Sequence, residues 1–454
     1  MTLSSDPVRF DHVRLLALTT AREVAATGID VLIVRDLLGR VTLLLDDREQ
    51  APDEESLRAW GESLAQALGP YASGQQITLG STLYQADALF DSSRVLNEIT
   101  YVPTAGQGSI RWLENTVVGE DWTRVREVPE LSIGRVPRVT LYGFKGGVGR
   151  STATAVLARH LADSGKRVLV VDLDLESPGS GPLLLTTEDT PQFGLVDQLV
   201  ESALGNADGL DLVAPASHYT PTRGELWVAP ARGQGTPGVP YSYVEKLNRI
   251  YTDSPTGDGT DFADRLAEAI TACELAMTEA VGAPEVVLLD SRAGIHDIAA
   301  VAISRLCDVA LLFGADNAHT WAGYGDLFTA WRDAGQAPAV RERLHMVASM
   351  VPDTPQRPKG SYLEEFRDRS WSCFSVLYDN ELPDGSDSLP TEAFNPSPED
   401  DSAPHSPIPV LFSLDLVGLD SIGTPDWPSR GYIQTAYDEF LKTTTRLIFP
   451  EGSR

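Results

Sequence analysis

The sequence predicts an α/β protein: a doubly wound, mostly parallel sheet over residues 136–450, with an additional small N-terminal α/β domain over residues 1–135. Three observations carry that prediction. Beyond Arg138, apolar runs of strand length recur without polar alternation, as strands covered on both faces require. Helix-period runs separate them and supply the crossovers that parallel strands need. A glycine-rich turn, "FKGGVGRST" at Phe144–Thr152, lies between the first such strand and the first such helix.

The N-terminal part begins with a helical run near Val13–Thr27. Two strand-like runs follow, "IDVLIVRD" and "RVTLLLDD", joined across "LLG", and then a helix from about Glu54 to Leu68. That order suits a small antiparallel sheet with helices on one face. It carries no catalytic constellation, and an adaptor or docking role is the expectation for it. From Arg138, "RVTLYGF" leads into a helix over Thr152–Ser164. The strands "KRVLVVDLD", "LDLVAPA", "ELWVAPA", "PEVVLLD", "DVALLFGA", "LHMVASMV" and "IPVLFSLD" come after it, with a helix over Phe262–Val281 among them. Two interruptions read as flexible: "YTDSPTGDGTD" and an acidic insert over 384–409, which holds six acidic residues, six prolines and no Lys or Arg.

Net charge is −29, which opposes general attraction to nucleic-acid backbones or anionic lipid and leaves protein as the expected partner. Neither a secretory leader nor a long apolar span is evident, so the cytoplasm is the expected location. Cys273, Cys307 and Cys373 lack C-x-x-C spacing and read as buried thiols rather than a disulfide or metal framework. Arginine outnumbers lysine 31 to 5, a bias that bears on Arg150 below.

A turn between a parallel strand and its helix lets consecutive backbone N–H groups converge on phosphate oxygens, aided by the helix N-terminus. Against G-x-x-x-x-G-K-[ST], the segment has Phe144 for the first glycine and Arg150 for the lysine, yet Lys145 precedes the glycine pair. With that lysine, "KGGVGRST" resembles the deviant Walker A loop of the ParA/MinD family of P-loop ATPases, K-G-G-x-G-K-[ST]. "VLVVDLDLESPG" is similar to the family's second strand and acidic switch. "VVLLDSRAGI" resembles its Walker B strand and "DSPAGI" turn, with Arg292 in place of proline, and "GELWVAPARG" resembles a further family strand. The resemblance covers about two-thirds of the chain and leaves residues 1–135 unexplained.

It implies ATP and Mg²⁺ as ligands, held by Gly146, Gly147, Val148, Gly149, Arg150, Ser151 and Thr152. Arg150 would reach the β and γ phosphates, and Ser151, Asp172 and Asp290 would serve the metal. Asp174 would orient the attacking water, and Lys145 would cross to a partner subunit's nucleotide. The implied function is a dimeric switch ATPase that engages a protein partner in its ATP state and hydrolyses slowly, since a guanidinium is harder to seat in a tight loop than an ammonium. The alternatives are a nucleotide-bound regulatory or structural subunit that does not hydrolyse, and a P-loop biosynthetic ligase related to the dethiobiotin and cobyrinate synthetases.

Overall fold

The computed structural model describes residues 8–48, 50–92, 94–115, 120–125, 136–251, 261–379, 393–416 and 430–450. The chain divides into two units, Met1–Val118 and Gly119–Arg454. The division falls before the expected 135/136 because Trp122 is buried in the second unit, its ring 6.0 Å from those of Tyr142 and Trp331.

The first unit runs α1 (Phe10–Ala25), β1 (Asp30–Arg35), β2 (Val41–Asp46), α2 (Glu54–Leu68), β3 (Ala72–Leu79), α3 (Ala86–Phe90), β4 (Leu96–Asn97) and β5 (Ile110–Glu114). The β1–β2 hairpin forms as the sequence suggests. Asp36 accepts hydrogen bonds from the backbone N–H groups of Leu38 and Arg40, and Gly39 supplies the positive φ of the turn. The sheet is not antiparallel, however. Its order is β3-β2-β1-β5-β4, with β1/β5 and β2/β3 parallel and β1/β2 and β4/β5 antiparallel. The physical reason is that α2 serves as a crossover, returning the chain to lay β3 parallel to β2. Val13, Ala17, Ala21 and Val24 give α1 one apolar stripe, which packs with Leu64 and Leu68 of α2 over Val31, Ile33, Leu43 and Leu45.

The second unit contains β6 (Arg138–Gly143), α4 (Arg150–Asp163), β7 (Arg167–Asp172), α5 (Ser180–Leu184), α6 (Leu195–Ser202), β8 (Ala214–Pro215) and β9 (Glu225–Ala229). It continues through α7 (Tyr243–Leu247), α8 (Phe262–Val281), β10 (Val286–Asp290), α9 (Asp297–Val301), β11 (Val309–Gly314), α10 (Ala318–Asp333) and α11 (Ala337–Val340). β12 (Leu344–Val351), α12 (Lys359–Phe374), β13 (Ile408–Leu411) and α13 (Gly431–Ile448) complete it. Among the described residues the sheet has eight strands in the order β13-β12-β11-β6-β10-β7-β9-β8, parallel except for β8. Val139 and Leu141 of β6 pack with α4 and α13 on one face, while Tyr142 packs with α10 and α12 on the other, so the sheet is doubly wound.

Two expectations need correction here. "LDLVAPA" yields only the short antiparallel edge β8, a place where Pro215, lacking an N–H, is tolerated. Of the acidic 384–409 stretch, 384–392 lie outside the described residues, but 393–409 is packed. Phe394 N–H donates to Asp379 at 2.8 Å, and the fully buried His405 meets the Tyr378 hydroxyl at 2.8 Å. Of the other interruption, residues 252–260 lie outside the described residues. The three cysteines are buried free thiols.

Candidate nucleotide site

β6 lies at the point where the chain's crossovers change direction, with β10 and β7 on one side and β11 and β12 on the other. In open α/β sheets that is where a crevice forms beyond the carboxyl ends of the strands. The glycine turn occupies this position. Gly147 (φ 77°) and Gly149 (φ 80°) hold left-handed backbone, and a β-carbon added at Gly146, Gly147 or Gly149 would meet nothing within 4 Å. The turn is therefore open to an approaching ligand rather than tightened by internal packing. Val148 folds back over the strand end, where a β-carbon on Gly143 would lie 2.9 Å from its Cγ2.

Phe144 explains the missing first glycine. Its ring fills the space above Gly323 of α10, where an added β-carbon would sit 2.2 Å from ring Cε1, and it lies 6.2 Å from the Tyr324 ring. The start of the turn is thus anchored by a side chain. Lys145 is exposed, its ammonium 5.9 Å from the centre of the Phe144 ring. Arg150, Ser151 and Thr152 form the first turn of α4, whose N-terminal amides carry positive potential.

Asp172 and Asp290 end β7 and β10 and stand side by side in the parallel register. Asp174 follows in the loop after β7. The Arg150 guanidinium bridges two of these acids, with Nε on Asp290 Oδ1 and Nη2 on Asp174 Oδ2, both at 2.8 Å. Burial works against the Arg150 charge, but Asp290 and Asp174 together hold its pKa above the usual value. Burial raises the Asp174 carboxyl, and Arg150 opposes that shift. Arg150 is engaged with carboxylates rather than standing free for phosphates.

Asp172 is fully buried and its oxygens are committed to the backbone. Oδ2 accepts from Gly179 N–H at 3.0 Å and Gly181 N–H at 2.9 Å, and Oδ1 accepts from Asp174 N–H at 3.2 Å. Burial and the neighbouring Asp290 push its carboxyl up to about 8. It fixes the loop after β7 through these three bonds. Asp290 Oδ2, by contrast, is buried without a hydrogen-bond partner. A β-carbon added at Gly179 would come within 2.3 Å of Ser151 Oγ and 3.4 Å of Asp290 Oδ2, so both oxygens border the same spot. A hydroxyl and an orphaned carboxylate oxygen are hard donors of the kind Mg²⁺ takes alongside phosphate and water, so the residues present fit that ion.

Several site residues were not singled out in the sequence. Gly179 lies in "ESPGSG", where two closely spaced glycines after D-x-D were the available signal. Glu176 pairs with Arg292 and accepts from the Tyr251 hydroxyl, with His296 Nε2 at 3.6 Å from its Oε1. Nothing in the spacing of these four announces that they meet.

A glycine turn between parallel strand and helix, with carboxylates at the ends of adjacent strands, defines a P-loop nucleotide-binding domain. Residues 139–354 match the family model described as the CobQ/CobB/MinD/ParA nucleotide binding domain. The chain is 34% identical over 96 residues to the chromosome-partitioning ATPase Soj of Thermus thermophilus, a match covering 21% of this chain and 39% of that one. It is 60% identical over 37 residues to the septum site-determining protein MinD of Helicobacter pylori, covering 8% of this chain and 14% of that protein. The chain thus spans well under two-thirds of either relative. A solved structure of pNOB8 ParA bound to nonspecific DNA aligns with 70% of this chain and all of that one, at 15% identity and a TM-score of 0.42. No helix among the described residues is long and apolar enough to cross a membrane.

Proposed function

We propose that the chain is an ATP-dependent switch that binds Mg·ATP at the Phe144–Thr152 turn, dimerises in that state and engages a protein partner. The observation that carries this reading is the open turn with Gly147 and Gly149 at positive φ, leading into α4 beside an orphaned Asp290 oxygen. Backbone amides from Gly147 to Thr152 would hold the phosphates, and Ser151 and Asp290 would hold Mg²⁺, which neutralises phosphate charge when bound. Lys145, exposed at the start of the turn, is suited to contact across a dimer. The acidity of the chain favours protein over nucleic acid as the partner.

A specific observation favours a variant of this reading in which hydrolysis is very slow. Asp174, the acid expected to orient water, has Oδ2 occupied by Arg150. With one of its two oxygens held there, Asp174 has less capacity to orient a water, so turnover would rise when a partner separates the pair. Titration calorimetry with Mg·ATP and Mg·ADP tests the reading: binding should be measurable, and light scattering should show more dimer with a slowly hydrolysed ATP analogue than with ADP. No binding at millimolar nucleotide would reject the site, and a Lys145→Ala protein that dimerises like the parent would reject the crossing lysine.

A further inference from the structure

We infer that Arg292, not Arg150, is the cation that meets the terminal phosphate of a bound nucleoside triphosphate, and that Glu176 is its resting partner in the ligand-free protein. This rests on the nucleotide reading above and names the residue that tells a triphosphate from a diphosphate.

Both arginines join the loop after β7 to β10 or the turn that follows it, but they differ in how easily they can leave. Arg150 is buried with Asp174 and Asp290, and withdrawing its guanidinium would strand two buried carboxylates without a counter-charge. Arg292 pairs with Glu176 at the rim, where the two side chains are 31% and 26% exposed. Ion pairs open to water are weak, and a phosphate presents a stronger match for a guanidinium fork than one carboxylate does.

Release of Arg292 leaves Glu176 Oε1 partnered, while the buried Oε2 that faced the guanidinium has no other partner. The Tyr251 hydroxyl donates to Glu176 Oε1. His296 Nδ1 lies 3.4 Å from the Ile298 nitrogen, and Nε2 lies 3.5 Å from Arg292 Nη1 and 3.6 Å from Glu176 Oε1. The Arg292 backbone, meanwhile, is fixed beside the nucleotide turn. Ser291 N–H donates to Leu141 O at 3.0 Å, Gly294 N–H donates to Gly143 O at 3.3 Å, and the Tyr142 hydroxyl donates to Gly294 O at 3.1 Å. These bonds stitch the Arg292 turn to the strand that ends in the glycines, so a swing of the side chain alone would carry its charge toward the loop. That charge already acts on Asp174.

Calorimetry on the full chain, with Mg²⁺ held constant, would compare ADP with a non-hydrolysable ATP analogue. The parent should prefer the analogue. Arg292→Ala should lose about tenfold in affinity for the analogue while its ADP affinity changes by less than about twofold, the scale of one charged hydrogen bond. Arg292→Lys should recover part of the loss, and Glu176→Gln, which loosens the resting pair, should bind the analogue several-fold more tightly and ADP unchanged. The inference is overturned if Arg292→Ala keeps the parental ratio of the two affinities, or if Glu176→Gln leaves that ratio unmoved. Should the parent bind neither nucleotide, the nucleotide reading itself fails; intact ADP binding with an unaltered ratio defeats only the role of Arg292.

Discussion

Arg150 shows how far a single position can be read. The sequence identified it as the odd residue of the loop and assigned it to phosphates, because a cation at that spacing has phosphate as its usual partner. The fold offers two carboxylates as competing acceptors, one on the end of β10 and one in the loop after β7, and a fork long enough to hold both. Nothing in a linear pattern reveals such a competition, since Asp174 and Asp290 are far from Arg150 in the chain. Arg150→Ala should therefore destabilise the ligand-free protein by about 3–5 kcal/mol, the cost of leaving buried charge unpaired, as read from urea unfolding. Arg150→Lys should keep most of that stability, because an ammonium still answers the carboxylates, and should turn ATP over faster. A lysine variant no faster than the parent would make Arg150 a neutral outcome of the arginine-rich composition.

At the scale of elements, legibility followed the physics that builds each one. The strands β6, β7, β10, β11 and β12 were visible because burial on both faces demands unbroken apolar runs. β8 was not, since "LDLV" is just as apolar while its Leu212 and Val213 are buried in loop packing. The mixed pairing of β1, β2, β3 and β5 was hidden because direction depends on where a crossover lands. The contact between α10 and the nucleotide turn was likewise invisible, though it can be tested. Gly323→Ala must displace the Phe144 ring, so it should cost about 1–3 kcal/mol in stability, and it should weaken nucleotide binding where a comparable change elsewhere on α10 would not. On β12, burial lowers His345 to about 4, whereas the unfolded chain titrates near 6.5. The unfolded state therefore takes up a proton that the fold resists, and stability should fall as pH drops from about 6.5 towards 4. Urea midpoints at pH 7 and pH 5 should differ less in a His345→Gln protein than in the parent.

For the molecule as a whole, every residue of the candidate site lies in the unit Gly119–Arg454, which has its own core on both faces of its sheet. A chain beginning at residue 119 should bind nucleotide within about threefold of the full-length affinity, a difference of well under 1 kcal/mol by calorimetry. Loss of binding in that shorter, folded chain would assign the first unit a part in the site. The exposed Lys145 beside a buried Arg150 has one more consequence, for chemistry done to the protein rather than by it. A guanidinium is not an acylation target, so the loop offers acyl donors a single amine, and one that faces solvent. With only five lysines in the chain, a modification at Lys145 would stand out in a peptide map. Acetylation there would erase the loop's exposed charge while leaving the inner cation untouched.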